Sequence, residues 1–368
     1  MRRAQGEPVA GPGGGVVRGP LAHSPVVGVC GFSGSGKTTL VEALVPRLAR
    51  RGLAVAVVKH DAHGLTMDNP GKDSDRFFQA GATVVVHDPG QVVRRTHRAP
   101  GNEVLLAAVP DLLRDHDIVL VEGHKHTPLP LRLWLLGADG GGAPPEAGAF
   151  AATLTRDEDR PARAEDLIAA HLVACQAAQP LCAGLLIGGR SCRMGRPKQL
   201  LRSGGTSWAE SVHAALFAHT PDVCLLGDGP SPAVLADLPR LPDVPGIRGP
   251  IAGMISALRW RPGAAWVFAA CDMPLLDAAA VDWLLAQRKP GDWAVLPRSP
   301  GVERAEPLCA WYDPRMERLL ERCDRPQAVV GESHVRLVDL PAKLADCWLG
   351  FNSPDQCEGR GVLDEPLD

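Results

Sequence analysis

The octapeptide GFSGSGKT, Gly31 to Thr38, restricts what this chain can fold into more than any other stretch. It satisfies G-x-x-x-x-G-K-[ST]. It also follows the apolar run Val26 to Cys30 and precedes Leu40, Val41, Leu44, Val45 and Leu48 at helical spacing. Strand, glycine-rich loop and helix form the context that this motif requires. In that context the loop amides and the helix N-terminus face phosphates, Lys37 reaches their β and γ oxygens, and the Thr38 hydroxyl ligates Mg2+. The expected nucleotide-binding set is Gly31, Ser33, Gly34, Ser35, Gly36, Lys37, Thr38 and Thr39. Gly52 stands where the following helix needs a glycine to end.

Further apolar runs extend an α/β pattern. Leu53 to Val58 reads as a strand delivering Lys59, His60 and Asp61 to its carboxyl end, the edge at which open α/β sheets bind ligands. Thr83 to His87, Ile118 to Val121, Leu131 to Leu136 and Ala149 to Leu154 read as strands, and Pro161 to Ala174 as the last helix of a first domain. A carboxylate at the end of a hydrophobic strand touches Mg2+ directly or through water, which makes Glu122 a metal candidate beside Thr38. His60, His63, His124 and His126 form no tetrahedral ligand ladder and read as site-lining or surface groups.

A second glycine loop opens the other half: LLIGGRSCRMGRPK, Leu185 to Lys198. An apolar run enters Gly188-Gly189, where backbone amides approach an anion closely because no Cβ intervenes. Arg190, Arg193 and Lys198 then neutralise a triphosphate, and Leu186, Ile187, Gly188 and Gly189 hold the nucleotide. Trp208 to Ala218 carries Trp208, Val212, Ala215 and Leu216 on one helical face, and Asp222 to Leu226 is a strand. Asp272 leaves the strand Ala265 to Cys271 into Met273-Pro274, a position suited to holding Mg2+ against phosphates at the sheet edge. Asp243 precedes Gly249 to Gly253, with a helix expected from Met254 to Arg259. Asp at either place also fits a simple turn.

The Leu185 to Lys198 stretch resembles the signature loop of molybdenum cofactor guanylyltransferases, and the likeness runs through roughly the second half of the chain. Glu122, Gly123, His124 and Lys125 resemble a motif of the GTP-binding adapter protein of the same pathway, so the whole resembles a fusion of the two. The resemblance implies transfer of GMP from GTP to Mo-molybdopterin, with release of pyrophosphate. Arg193, Lys198 and Asp272 would be catalytic, Asp272 would be the magnesium ligand, and Asp243 would line the nucleotide site. Phe351 to Asp355 resembles the family's closing motif and puts Asn352 near the active site, although Ser353 ahead of Pro354 equally fits a helix N-cap. Two positions depart from the pattern. Ile187 replaces the usual alanine, and Pro197 replaces the usual aspartate. Arg196-Pro197-Lys198 is similar to the sister cytidylyltransferases, which keeps CTP as the alternative to GTP. Gly249 to Gly253 and Phe351 to Asp355 are closer to the guanylyl pattern. Other readings are a sugar-1-phosphate nucleotidyltransferase or a nucleotide-binding scaffold that passes cofactor to apo-enzymes.

The totals bound these readings. A chain of 368 residues favours two domains. We expect a disordered leader over 1–24, a P-loop domain over 25–176, a linker over 177–181, a Rossmann-like nucleotidyltransferase domain with a mostly parallel sheet over 182–358, and a flexible tail over 359–368. A net charge of -3 and 4% aromatic residues argue against nucleic acid as a partner. No run reaches the roughly 18 apolar residues of a membrane span, no secretion signal is evident, and the ten cysteines form no CxxC pair. These features point to the cytoplasm. The expected partners are GTP, Mo-molybdopterin, cofactor-insertion proteins and apo-molybdoenzymes.

Overall fold

The computed structural model describes residues 21–59, 70–97, 104–188, 194–299 and 304–364. The chain divides into two compact units, Met1–Ala169 and Ala170–Asp368.

The first unit contains strands β1 (Val26–Gly31), β2 (Val55–Lys59), β3 (Val84–His87), β4 (Val92–Arg95), β5 (Ile118–Glu122), β6 (Leu131–Leu135) and β7 (Ala152–Leu154). Its helices are α1 (Lys37–Arg50), α2 (Asp73–Gln79), α3 (Val104–Leu112) and α4 (Arg160–Ala178), the last running past the boundary between the units. Five strands form one sheet in the order β2-β5-β1-β6-β7, and every pairing is parallel. The central strands β1, β5 and β6 are apolar along almost their whole length because helices and loops cover both sheet faces, so the sequence shows a run rather than an alternation. α1 ends as its glycine predicts. Gly52 takes φ 81°, its N–H donates to Ala49 O at 2.9 Å, and the Leu53 N–H donates to Leu48 O at 3.2 Å. That pair of bonds is a Schellman stop. β3 and β4 form a separate antiparallel hairpin.

The second unit contains β8 (Leu181–Leu186), the short hairpin β9 (Arg202–Ser203) and β10 (Thr206–Ser207), then β11 (Val223–Leu226), β12 (Arg240–Leu241), β13 (Ala265–Ala270), β14 (Ala294–Arg298), β15 (Cys309–Tyr312) and β16 (Val335–Asp339). Its helices are α5 (Trp208–Phe217), α6 (Pro250–Trp260), α7 (Ala278–Ala286), α8 (Met316–Leu320) and α9 (Pro354–Cys357). Seven strands run in the order β12-β11-β8-β13-β15-β14-β16. All are parallel except β15, which pairs antiparallel with β13 and β14. The period of two along β8 sorts its side chains into two cores. Ala183, Leu185 and Ile187 join one with residues of α5 and α7, while Cys182 and Leu186 join the other with residues of α6 and α8. Gly184 falls on the second face, where a Cβ would press to 2.6 Å from Phe268 of β13 and Leu226 of β11.

Three expectations change. α6 starts at Pro250, not Met254: Gly249 takes φ 81° as its N-cap and Pro250 occupies the first turn, where its missing N–H costs nothing. The expected leader has structure from Leu21, which is buried in the first core and whose carbonyl accepts from the Ser24 N–H at 3.0 Å. The expected tail is packed as far as Asp364. Val362 is buried and takes the Trp208 Nε1–H on its carbonyl at 2.7 Å, and the Asp364 carboxylate accepts from Gly204 and Gly205 N–H at 2.6 and 2.8 Å. Among the described residues no helix is long and apolar enough to cross a membrane.

Candidate functional site

In the first unit glycines and its own backbone shape the loop between β1 and α1, and the Arg156 and Arg160 side chains hold two of its carbonyls. Gly34 and Gly36 take φ 73° and 93°, conformations that a side chain opposes. At Gly31, φ 155°, a Cβ would also stand 2.8 Å from Leu135 O. Ser35 N–H donates to Phe32 O at 3.3 Å, and Lys37 Nζ donates to the same carbonyl at 2.8 Å. Across the sheet edge, Thr38 Oγ1 donates to Glu122 Oε1 at 2.8 Å. Glu122 is buried at the end of β5, and Gly123 behind it accepts from Cys30 Sγ at 3.1 Å. A hydroxyl and a carboxylate meeting beside a phosphate loop form the hard-oxygen donor set that Mg2+ takes. Ser33 and Thr39 lie within the loop and the first turn of α1, while Ser35 is buried and its hydroxyl has no hydrogen-bond partner. His60, Asp61 and His63 lie outside the described residues.

In the second unit, side chains far apart in sequence meet at the carboxyl edge of β8 and β13. Lys198 Nζ donates to Asp272 Oδ2 at 2.9 Å and to Asn352 Oδ1 at 2.6 Å. The Lys198 and Asp272 side chains keep 14% and 20% of their surface in solvent, so the pair is partly screened from water yet reachable. The backbone closes the same cluster, because Phe351 N–H donates to Asp272 O at 2.9 Å. The other carboxylate oxygen, Asp272 Oδ1, lies beside Gly350, where a Cβ would stand 3.7 Å from it. One lysine-bound oxygen and one approachable oxygen suit a cation shared with phosphates. Asn352 also heads α9: its N–H donates to Gln356 Oε1 at 2.6 Å and the Ser353 N–H does so at 3.2 Å. The segment thus both reaches Lys198 and caps α9. Cys271 is sealed beneath, its thiol pushed up to about 12 by burial and then by the Asp272 carboxylate.

Leu186 and Ile187 are buried, and the Ile187 N–H donates to Leu226 O at 3.0 Å. Gly188 meets Gly227, where a Cβ would come 2.9 Å from its Cα. Gly229 is tighter still, since a Cβ there would overlap Ile187 O. Asp243 packs against α6 at Gly253, where a Cβ would be 3.3 Å from its Oδ1. Desolvation and then the Asp228 carboxylate raise the Asp243 carboxyl above its usual range. Gly189, Arg190 and Arg193 lie outside the described residues.

Sequence reading missed Asp228 and Glu306. The first follows β11 as Gly227-Asp228-Gly229, a turn signal at a strand's carboxyl end that was there to be read. The second lies in the turn that leads into β15, where the Cys309 N–H donates to Glu306 O at 3.2 Å. Its carboxyl is raised by desolvation, lowered by the Arg304 charge and raised by that of Asp272, so the two carboxylates feel one another. No local pattern reveals such a pairing.

Comparison with known proteins gives two family matches. Residues 26–134 match "Molybdopterin guanine dinucleotide synthesis protein B" and residues 183–337 match "MobA-like NTP transferase domain". A molybdopterin-guanine dinucleotide biosynthesis adapter protein of Haemophilus influenzae is 38% identical over 109 residues, which are 29% of this chain and 60% of that protein. A probable molybdenum cofactor guanylyltransferase of Bacillus licheniformis is 35% identical over 181 residues, 46% of this chain and 89% of that protein. A molybdenum cofactor biosynthesis bifunctional protein of Synechocystis sp. is 31% identical over 192 residues, covering 51% of this chain and 52% of that protein. The chain thus spans less than two thirds of the adapter and bifunctional relatives and most of the guanylyltransferase.

Proposed function

The chain belongs to the molybdenum cofactor guanylyltransferases, with a region of the synthesis protein B type ahead of them, and we propose that its second unit joins GMP from GTP to Mo-molybdopterin. The observation that carries this reading is the convergence of Lys198, Asp272 and Asn352 at one sheet edge. In the reaction a terminal phosphate oxygen of molybdopterin attacks the α-phosphorus of GTP. The new P–O bond forms as the α–β bridging bond breaks, and pyrophosphate leaves with its electron pair. The attacking oxygen is already anionic, so the protein supplies position and charge rather than a base. Lys198 offsets phosphate charge, Arg193 adds to it, and Gly188 and Gly189 leave room for the nucleotide. When bound at Asp272, Mg2+ neutralises phosphate oxygens.

In this reading the first unit is a GTP-binding module, with Gly31 to Thr39 on the phosphates and Thr38 and Glu122 as the Mg2+ oxygens. The adapter relatives support an adapter role, and in this reading the unit serves cofactor-insertion proteins or apo-molybdoenzymes in the cytoplasm. The test is pyrophosphate release by the purified protein with Mg2+ and molybdopterin, offering GTP and CTP separately. Turnover with GTP alone supports the guanylyl reading. A preference for CTP makes Arg196-Pro197-Lys198 the informative departure, and no release with either nucleotide points to a scaffold.

A further inference from the structure

We propose that Arg160, at the start of α4, is the positioning residue that aims the P-loop at phosphate, with Arg156 as a second tether. This rests on the reading of the first unit as a nucleotide site.

Arg160 stands just after β7, and its guanidinium spreads over four backbone carbonyls. Nε donates to Thr155 O at 2.7 Å, Nη1 to Ser35 O at 2.8 Å, and Nη2 to Leu136 O and Leu154 O at 2.6 and 3.1 Å. One side chain therefore ties the P-loop to the ends of both β6 and β7. Arg156 adds a bond from Nη2 to Gly34 O at 3.2 Å, so two consecutive loop carbonyls are each held by an arginine.

The bond to Ser35 O matters through peptide geometry. In a trans peptide the C=O and the next N–H point in opposite directions. Fixing Ser35 O toward Arg160 turns the Gly36 N–H away from the arginine, to the other side of the loop, where α1 begins. Gly36 at φ 93° has no side chain to lock this plane and would otherwise rotate at little cost. Its neighbour cannot lock it either, because the Ser35 hydroxyl is unpartnered. The guanidinium also polarises the peptide, which strengthens the N–H as a donor. Only an arginine fits this place, since its rigid fork serves several acceptors where a lysine ammonium is a point charge.

The two guanidiniums sit close together. Burial and then the charge of Arg156 lower the Arg160 pKa from its ordinary value, against the raising effect of Glu158 and Asp157.

The experiment titrates GTP and GDP into the full-length protein by calorimetry in an Asp272→Ala background, comparing Arg160, Arg160→Lys and Arg156→Ala. The expected result for Arg160→Lys is roughly a tenfold or greater rise in the Kd of both nucleotides at an unchanged number of sites and an unchanged melting temperature. Arg156→Ala should give a smaller rise. A purely structural role would instead lower the number of sites or the melting temperature at unchanged Kd, and that outcome overturns the proposal. So does an Arg160→Lys protein that binds as the Arg160 protein does. If the Lys37→Ala variant binds as many nucleotides as the Arg160 protein, the reading of the first unit fails instead, and the two failures remain distinct.

Discussion

On the proposed reading the two glycine loops of this chain face the same chemical problem and solve it differently. Gly31 to Thr38 is, on that reading, one uninterrupted segment whose donors are backbone amides, and its supports are two arginines on its carbonyls, three glycines with positive φ and a helix start. The loop beginning at Ile187 relies on side chains gathered from positions 198, 272 and 352. A backbone cradle is built before the ligand arrives and is sensitive to volume. A side-chain cluster is held by ion pairing and is sensitive to charge.

That contrast can be broken most sharply at Asp272. Asp272→Ala should lower pyrophosphate release by at least about a thousandfold while the far-ultraviolet dichroism stays unchanged, since it removes the Mg2+ oxygens and leaves the fold's apolar layers alone. Retained turnover would remove the metal role. Next comes volume: Gly229→Ala forces a methyl onto Ile187 O, so it should destabilise the second unit by about 2–4 kcal/mol in a urea titration and reduce transfer with it. An equally stable Gly229→Ala protein would show that this close approach is slack.

Lys198→Met should be smaller in stability than in activity. It leaves Asp272 without its ion-pair partner at a half-screened place, a loss of about 1 kcal/mol after solvent screening, while transfer falls at least a hundredfold. The least effect is expected at Asp243. Its carboxyl is raised in the folded protein, so folding favours the protonated form, and stability falls as pH rises from the usual carboxylate range through the folded value. Asp243→Asn should therefore melt slightly higher than the parent at neutral pH and equally at pH 3. A lower melting temperature at neutral pH would mean that the charge is being used by a partner.

The same contrast explains what the sequence made legible. GFSGSGKT, its flanking strand and its terminal Gly52 are contiguous, and periodicity alone places them on β1 and α1. Asp272 was legible because a carboxylate ends an apolar strand. Its union with Lys198 and Asn352 was not, because spacing carries no distance between residues 74 and 154 positions apart. The antiparallel β15 was missed because a four-residue apolar strand looks alike in either direction. The early start of α6 was missed because Gly249-Pro250 reads as a turn as readily as an N-cap. Arg160 was invisible, since its partners are carbonyls, which every residue has.

The claim that the two loops are separate nucleotide sites, only one of them performing transfer, is tested most directly by measuring pyrophosphate release with GTP and molybdopterin for Lys37→Ala beside Asp272→Ala. The account predicts that Lys37→Ala keeps the parent rate while Asp272→Ala has none. Loss of transfer in Lys37→Ala with Asp272→Ala still active would contradict it.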